Sequence, residues 1–346
     1  MRVLVVDDSA VVRQAMTALL EREGDIEVAV AADPLIAMRK MEKARPDVLL
    51  LDLEMPRMGG LEFLAALMQR DPMPVVICSG LARRGTEAAM RALALGAVDI
   101  VERPRLGLRG FVEESALLLV ETLRGAARAR MPARALAPPS SSSSSVAAMP
   151  ARALIALGAS TGGTEALRVI LAGLPAGLPP VAIVQHMPAG FTAAFAYQLD
   201  QVCALRVVEA HDGLRLDPGM ALVAPGGRHL RVVRRGHALV AELDDGPLVS
   251  RHRPSVDVLF RSVARAVGRD AVGVLLTGMG DDGADGLGEM KRAGATTIAQ
   301  NEATSVVFGM PREAILRGAA DEVLPLGRIA ASIRERLASG KDGGHG

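Results

Sequence analysis

Three residue types that together can hydrolyse an ester lie far apart in this chain. Ser160 sits in Gly158-Ala159-Ser160-Thr161-Gly162-Gly163, between an apolar run and a helical pattern. The stretch matches G-x-S-x-G, which sets a serine on a sharp turn with its oxygen exposed. Backbone N–H groups at the start of the following helix can then face an oxyanion. His186 ends the apolar run VAIVQH, and Asp281 and Asp282 follow VGVLLTG within LTGMGDDGADG. A serine hydroxyl needs a base, and the base needs an orienting partner. Neutral imidazole near pH 7 can take the proton, and a carboxylate fixes its tautomer and favours the imidazolium. Any one of these residues alone reads as an ordinary polar strand end. Spacing does not choose between Asp281 and Asp282.

Competing readings of these motifs fail on single residues. A dinucleotide fingerprint needs glycine where Ser160 stands, and a P-loop needs lysine where Thr164 stands. The α/β-hydrolase order is serine, acid, histidine, whereas here the histidine precedes the acid. A calcium loop read from Asp281 puts Gly283 third and Arg292 twelfth, where Asp/Asn and Glu are needed. No His/Cys spacing suggests zinc. His211, His229 and His237 fall in loops or near hairpin positions and His345 in the tail. His252 is the only rival base, and it reads as a surface or substrate-facing residue.

A second constellation lies near the start. Asp7 and Asp8 end one apolar run, Asp52 ends another, Ser79 ends a third and Arg103 follows a fourth. Carboxylates converging at neighbouring strand ends are costly unless a hard cation neutralises them, and Mg²⁺ with oxygen ligands fits. A carboxylate beside Mg²⁺ can accept a phosphoryl group. Ser79 could then hydrogen-bond one phosphoryl oxygen and Arg103 pair with another.

The elements that must position these groups alternate between strand and helix. VLVV, IEVAV, DVLLLD, PVVICS and VDIV read as five buried strands with helices between them; Ser9 and Asp33 are helix caps and the last helix covers 111–124. That pattern predicts a parallel sheet covered on both faces, with ligands at the carboxyl ends of the strands. Residues 125–150 carry six consecutive serines flanked by Pro and Ala and read as a flexible tether. ALIALG, VAIVQH, AVGVLLTG and ATTIAQ are strands of a second α/β region, with antiparallel strands over 220–243. The last helix ends near Leu337.

Composition narrows the function. The 346 residues are 50% hydrophobic but only 2% aromatic, and 40 basic residues balance 39 acidic ones. Such a chain has neither the field nor the aromatic surface for nucleic acid. No uncharged apolar run reaches the roughly 20 residues a bilayer requires, so no membrane insertion is expected. Asp7-Asp8 interrupt any signal-peptide core. Two distant cysteines outside any redox or metal motif suit a cytoplasmic setting.

The combination DD…LDLEMPRMGG…CSG…ERP resembles the response-regulator receiver family. The resemblance implies a flavodoxin-like, five-stranded parallel sheet and phosphorylation of Asp52 by a histidine kinase, with Asp7 and Asp8 helping to hold Mg²⁺. Arg103 stands where receivers usually place Lys, and Gly59 where they usually place Asp; the guanidinium keeps the charge but is bulkier and planar.

GASTGG, VQHM and LTGMGDDGADG together resemble the effector domain of CheB-type chemotaxis methylesterases. The implied architecture is a receiver over 1–122, a linker over 123–150, a doubly wound α/β methylesterase domain with an antiparallel hairpin over 151–340, and a tail over 341–346. The implied reaction is hydrolysis of glutamate γ-methyl esters on chemoreceptors, with release of methanol and often deamidation of receptor glutamines, and no cofactor for the ester step. The resemblance assigns Ser160 as nucleophile, His186 as base and Asp282 as orienting acid, and puts Thr161 and Met279 where main-chain groups hold the oxyanion. The partners expected are methyl-accepting receptors as substrate and a chemotaxis histidine kinase as phosphodonor, with the protein a monomer. The expected regulation is a receiver that covers the Ser160 cleft until phosphorylation shifts it. The alternatives are an output domain that binds without catalysis and a hydrolase of simple esters.

Overall fold

A computed structural model describes residues 1–55, 59–80, 83–103, 109–130 and 153–339. The serine-rich stretch read as a tether and the tail over 341–346 lie outside the described residues. The chain divides into two compact units, Met1–Pro132 and Ala133–Gly346.

The first unit alternates β1 (Arg2–Val6), α1 (Ala10–Leu20), β2 (Glu27–Ala31), α2 (Pro34–Lys43), β3 (Val48–Asp52), α3 (Gly60–Arg70), β4 (Val75–Ser79), α4 (Arg83–Ala94), β5 (Asp99–Glu102) and α5 (Arg109–Ala127). Its five strands are parallel in the order β2-β1-β3-β4-β5, the flavodoxin-like arrangement expected. Central β3 and β4 are buried throughout and edge strand β2 only in part, as helices on both faces require. The Ser9 and Asp33 side chains cap α1 and α2 by accepting the Val12 and Ile36 N–H groups. Helix α5 runs past its predicted end at 124, because Leu123 and Ala126 are fully buried and continue its apolar stripe.

The second unit contains β6 (Leu154–Ala159), α6 (Gly163–Ala172), β7 (Val181–Gln185), α7 (Thr192–Val202), β8 (Arg206–Glu209), β9 (Met220–Val223), β10 (His229–Arg235), β11 (Ala238–Asp244), α8 (Val256–Ala266), β12 (Ala271–Leu275), α9 (Ala284–Arg292), β13 (Thr296–Gln300), α10 (Met310–Leu316), β14 (Glu322–Leu324) and α11 (Leu326–Ser339). Seven strands form a parallel sheet ordered β14-β13-β12-β6-β7-β9-β8, and β10 and β11 form an antiparallel hairpin. The antiparallel reading of 220–243 therefore holds only from His229 onward. β9 joins the main sheet parallel to β7 and β8, because its MALV run buries its last three residues there.

β6 is central, and the chain leaves it toward β7 on one side but leaves β12 toward β13 on the other. With right-handed crossovers, α6 and α9 cover opposite faces, and a crevice opens at the carboxyl ends of β6, β7 and β12. The core under α8, α9 and the hairpin is built from small and branched residues such as Ala156, Val184, Leu259, Val263 and Leu287, with Phe260 its aromatic member.

Candidate active site

Ser160, His186 and the 277–282 segment leave three adjacent strands at that crevice. The β6–β7 register sets Ala159 opposite Gln185, so Ser160 and His186 follow as neighbours across the ladder. The His186 N–H donates to the Ala159 carbonyl at 3.1 Å, and the Ser160 N–H donates to the Thr277 carbonyl at 3.0 Å. Fully buried Gln185 ties the pair together: its Nε2 donates to the carbonyls of Ser160 (3.0 Å) and His186 (3.1 Å). Sequence reasoning passed over Gln185. The available signal was an amide ending an otherwise apolar run, a place where a buried polar group must find partners.

The serine turn depends on glycine at two places. Gly162 has φ +77°, and a Cβ there would lie 2.5 Å from that of Val306. A Cβ at Gly278 would lie 2.7 Å from the Ser160 Cβ, so the β6 and β12 turns touch only because that position is bare.

His186 is buried and places Nε2 2.8 Å from Asp282 Oδ2. Asp282 also accepts hydrogen bonds from Ser255 Oγ (2.7 Å), the Val256 N–H (2.7 Å) and the Asp257 N–H (3.1 Å). Ser255 caps α8, so the carboxylate lies on the first amides of a helix, where unpaired donors and the helix dipole favour an anion. Burial by itself would raise the Asp282 pKa, but the bonds from His186 and Ser255 and the nearby imidazoles bring it below the ordinary value. An ionised carboxylate can only accept, so Nε2 carries a proton, and the neutral form of the ring has its bare nitrogen at Nδ1. That Nδ1 is buried and has no hydrogen-bond partner among the described residues. Asp281 points elsewhere: half exposed, it pairs with Arg317 at 2.7 Å.

Two further histidines surround this pair. His252, read from the sequence as a surface or substrate-facing residue, is half-buried at the site itself, where its ring stacks on His186 with centroids 3.7 Å apart and planes 16° from parallel. Burial and the neighbouring His186 push its pKa down to about 3. His229, fully buried at the start of β10, donates from Nε2 to the Pro247 carbonyl (2.9 Å) and accepts the Ser255 N–H on Nδ1 (3.2 Å). Those bonds fix a neutral tautomer that holds the α8 cap in place. Thr161 is buried and Met279 half-buried, and neither N–H has a hydrogen-bond acceptor among the described residues.

In the first unit, Asp7, Asp8 and Asp52 each offer an oxygen within 4.8 Å of the others. Burial, and then the charges of Asp52 and Asp8, raise the Asp7 pKa against the opposing Ser9 N–H and Arg103. The Arg103 guanidinium lies 2.6 Å from Asp52 Oδ2 and 3.2 Å from Asp7 Oδ2. Even so, Asp52 Oδ2 is buried without an aligned hydrogen bond among the described residues. Ser79 is buried at the end of β4, one residue beyond Cys78, which faces Asp52 in register. Three carboxylates, ion-paired among the described residues with Arg103 alone, leave an excess of negative charge, and a hard cation with oxygen ligands such as Mg²⁺ fits that donor set.

Residues 155–333 match the CheB methylesterase family and residues 3–106 the response regulator receiver domain. The protein-glutamate methylesterase/protein-glutamine glutaminase 1 of Anaeromyxobacter dehalogenans (strain 2CP-C) is 59% identical, over 96% of this chain and 98% of its own. The protein-glutamate methylesterase/protein-glutamine glutaminase of Yersinia pestis bv. Antiqua (strain Antiqua) is 52% identical, over 98% of each. Among solved structures, the Thermotoga maritima CheB methylesterase catalytic domain is 39% identical with a TM-score of 0.53, covering 54% of this chain and 98% of that one. With both units matched and near-complete overlap with these relatives, the chain belongs to the CheB methylesterase family and carries a response regulator receiver domain at its N-terminal end.

Proposed function

We propose that this protein hydrolyses glutamate γ-methyl esters on methyl-accepting chemoreceptors in the cytoplasm, and deamidates receptor glutamines with the same machinery, under control of its receiver. The observation that carries the reading is the buried His186–Asp282 pair beside Ser160, with Nε2 tied to a carboxylate and Nδ1 left bare.

Ser160 Oγ attacks the ester carbonyl while its proton passes to His186 Nδ1. The carbonyl electron pair moves onto oxygen, and the N–H groups of Thr161 and Met279 stabilise that oxyanion. Collapse of the tetrahedral intermediate breaks the bond to the methoxy oxygen, which leaves as methanol with the proton from His186. Water, deprotonated by the same nitrogen, then attacks the acyl-enzyme; the acyl–Oγ bond breaks, Ser160 Oγ takes the proton back from His186, and the glutamate acid ionises in solvent. With glutamine as substrate the leaving group is ammonia. Asp282 stays ionised and balances the imidazolium.

In the first unit, Asp7, Asp8 and Asp52 would hold Mg²⁺, which offsets charge on a phosphoryl group arriving at Asp52 from a histidine kinase. Arg103 would exchange its contact with Asp52 for a phosphoryl oxygen, and Ser79 would donate to another. Modification changes turnover only insofar as it interacts differently with two arrangements of the protein.

Methanol release from membranes bearing methylated receptor tests the assignment. Ser160→Ala should lose turnover by a factor on the order of 10³ or more while remaining folded. Persistence of turnover in that variant would reject Ser160 as nucleophile. Adding an acyl-phosphate donor with Mg²⁺ should raise the parent rate, and equal rates would reject control by the receiver.

A further inference from the structure

The stack of His252 on His186 does something that the three assigned residues cannot. Among the described residues the imidazole of His186 has one side-chain hydrogen bond, from Nε2 to Asp282, and its other nitrogen is without a partner. One hydrogen bond leaves a ring free to turn about that bond and so to swing the bare nitrogen away from the serine. A second flat ring, 3.7 Å away and 16° from parallel, removes that freedom. We propose that His252 is a positioning residue: a neutral aromatic platform that fixes the plane of the catalytic imidazole, so that Nδ1 keeps its aim while Nε2 stays on Asp282.

The local chain is built to deliver this ring. Val249 and His252 exchange both backbone hydrogen bonds, N–H to carbonyl at 3.1 and 2.9 Å, across a two-residue turn. The turn residues Ser250 and Arg251 have φ of +48° and +66°, left-handed backbone in two residues that are not glycine. Such conformations persist where the surroundings over-determine them, and they concentrate where geometry serves a site. Below the turn, the Arg253 guanidinium donates to the Gly246 carbonyl at 2.9 Å, and the Arg253 carbonyl accepts the Gly227 N–H at 3.0 Å. The segment then enters α8, whose first residues hold Asp282. One stretch of chain, 249–257, thus fixes the ring from its face and its carboxylate partner from the helix end.

The platform must also be uncharged. During the reaction His186 becomes an imidazolium, and a second cation stacked on it would oppose proton transfer. Burial of His252 and the neighbouring His186 outweigh the opposing charge of Asp282 and keep its own ring neutral through the working range. A neutral π face, by contrast, tolerates or attracts the transient charge.

The inference rests on His186 being the base, so the test carries Ser160→Ala beside the His252 variants, with methylated receptor membranes as substrate and unfolding temperature as the fold control. His252→Ala should cut kcat on the order of 10-fold or more with KM within about twofold, because misaimed catalytic groups cost rate rather than binding. His252→Phe restores the flat ring without a titratable nitrogen and should recover at least a third of the lost kcat. His252→Lys, which sets a cation against the ring, should be worse than Ala. A loss confined to KM would make His252 a substrate contact and overturn the platform. Failure of Phe to rescue, with the fold intact, would overturn it too, since the imidazole itself would then be required. Turnover by Ser160→Ala would overturn the site assignment and the platform with it; an inactive Ser160→Ala beside an unaffected His252→Ala would overturn the platform alone.

Discussion

The two units bring carboxylates to the same place, the carboxyl edge of a parallel sheet, and solve the resulting electrostatic problem in opposite ways. In the second unit Asp282 is buried and fully served, with four donors from His186, Ser255, Val256 and Asp257. In the first, Asp7, Asp8 and Asp52 crowd together with Arg103 as their one ion-pair partner among the described residues, where one oxygen of Asp52 also has no aligned donor. The difference teaches what each edge is for. A site that must hold one geometry through every turnover carries its own counter-charges and hydrogen bonds. An edge left short of positive charge, by contrast, suits the cation and phosphoryl group proposed for the first unit.

The largest effect expected from breaking that contrast is at Asp282. Asp282→Asn removes the anion and offers Nε2 an amide that can donate, so the ring is free to carry its proton on Nδ1. Turnover should fall on the order of 10³-fold or more with little change in KM, a comparison that steady-state methanol release can make.

Asp257 is the exception on the well-served side and sharpens the comparison. It is buried near Asp282, and burial followed by that neighbouring charge raises its pKa to about 6, despite the Gly286 N–H at 2.7 Å. An acid whose pKa is raised on folding binds its proton more tightly in the folded chain. Its contribution therefore favours folding below its ordinary value of 3.8 and is lost as pH rises through about 6. Asp257→Asn, permanently neutral, should match the parent in stability near pH 4 and exceed it by about 2 kcal/mol at pH 7. Unfolding of both proteins at the two pH values checks this, and a difference that does not change with pH would refute it.

The smallest effect lies on the under-served side. Arg103→Ala removes the guanidinium that pairs with the Asp7 and Asp52 carboxylates and should tighten Mg²⁺ binding about fivefold in calorimetric titration. Unchanged or weaker binding would mean that the cluster is not charge-limited.

The alternation of apolar runs and helical patterns was enough to read the five-stranded unit, because each run is buried on both faces and each helix has a local cap. Ser160, His186 and the aspartate pair were legible for a related reason: glycine-rich turns at strand ends announce where a sheet exposes side chains. What stayed hidden was contributed by elements with weaker or non-local signals. β8 and β14 are short edge strands of four and three residues, with little apolar pattern. β9 reads from the sequence as antiparallel with the hairpin because its short MALV run carries no signal of which strand it pairs with. The choice of Asp282 over Asp281 depends on the distant α8 cap, and the seat of His252 depends on a turn of non-glycine residues that no propensity would suggest.

In the proposed mechanism Ser160 is the hydroxyl activated by His186. An organofluorophosphonate, which bonds an activated serine oxygen at phosphorus with loss of fluoride, tests it directly when the adduct is mapped by peptide mass spectrometry. One adduct is expected, on Ser160, and it is lost in His186→Ala. An adduct on another residue, or undiminished labelling of Ser160 without His186, would contradict it.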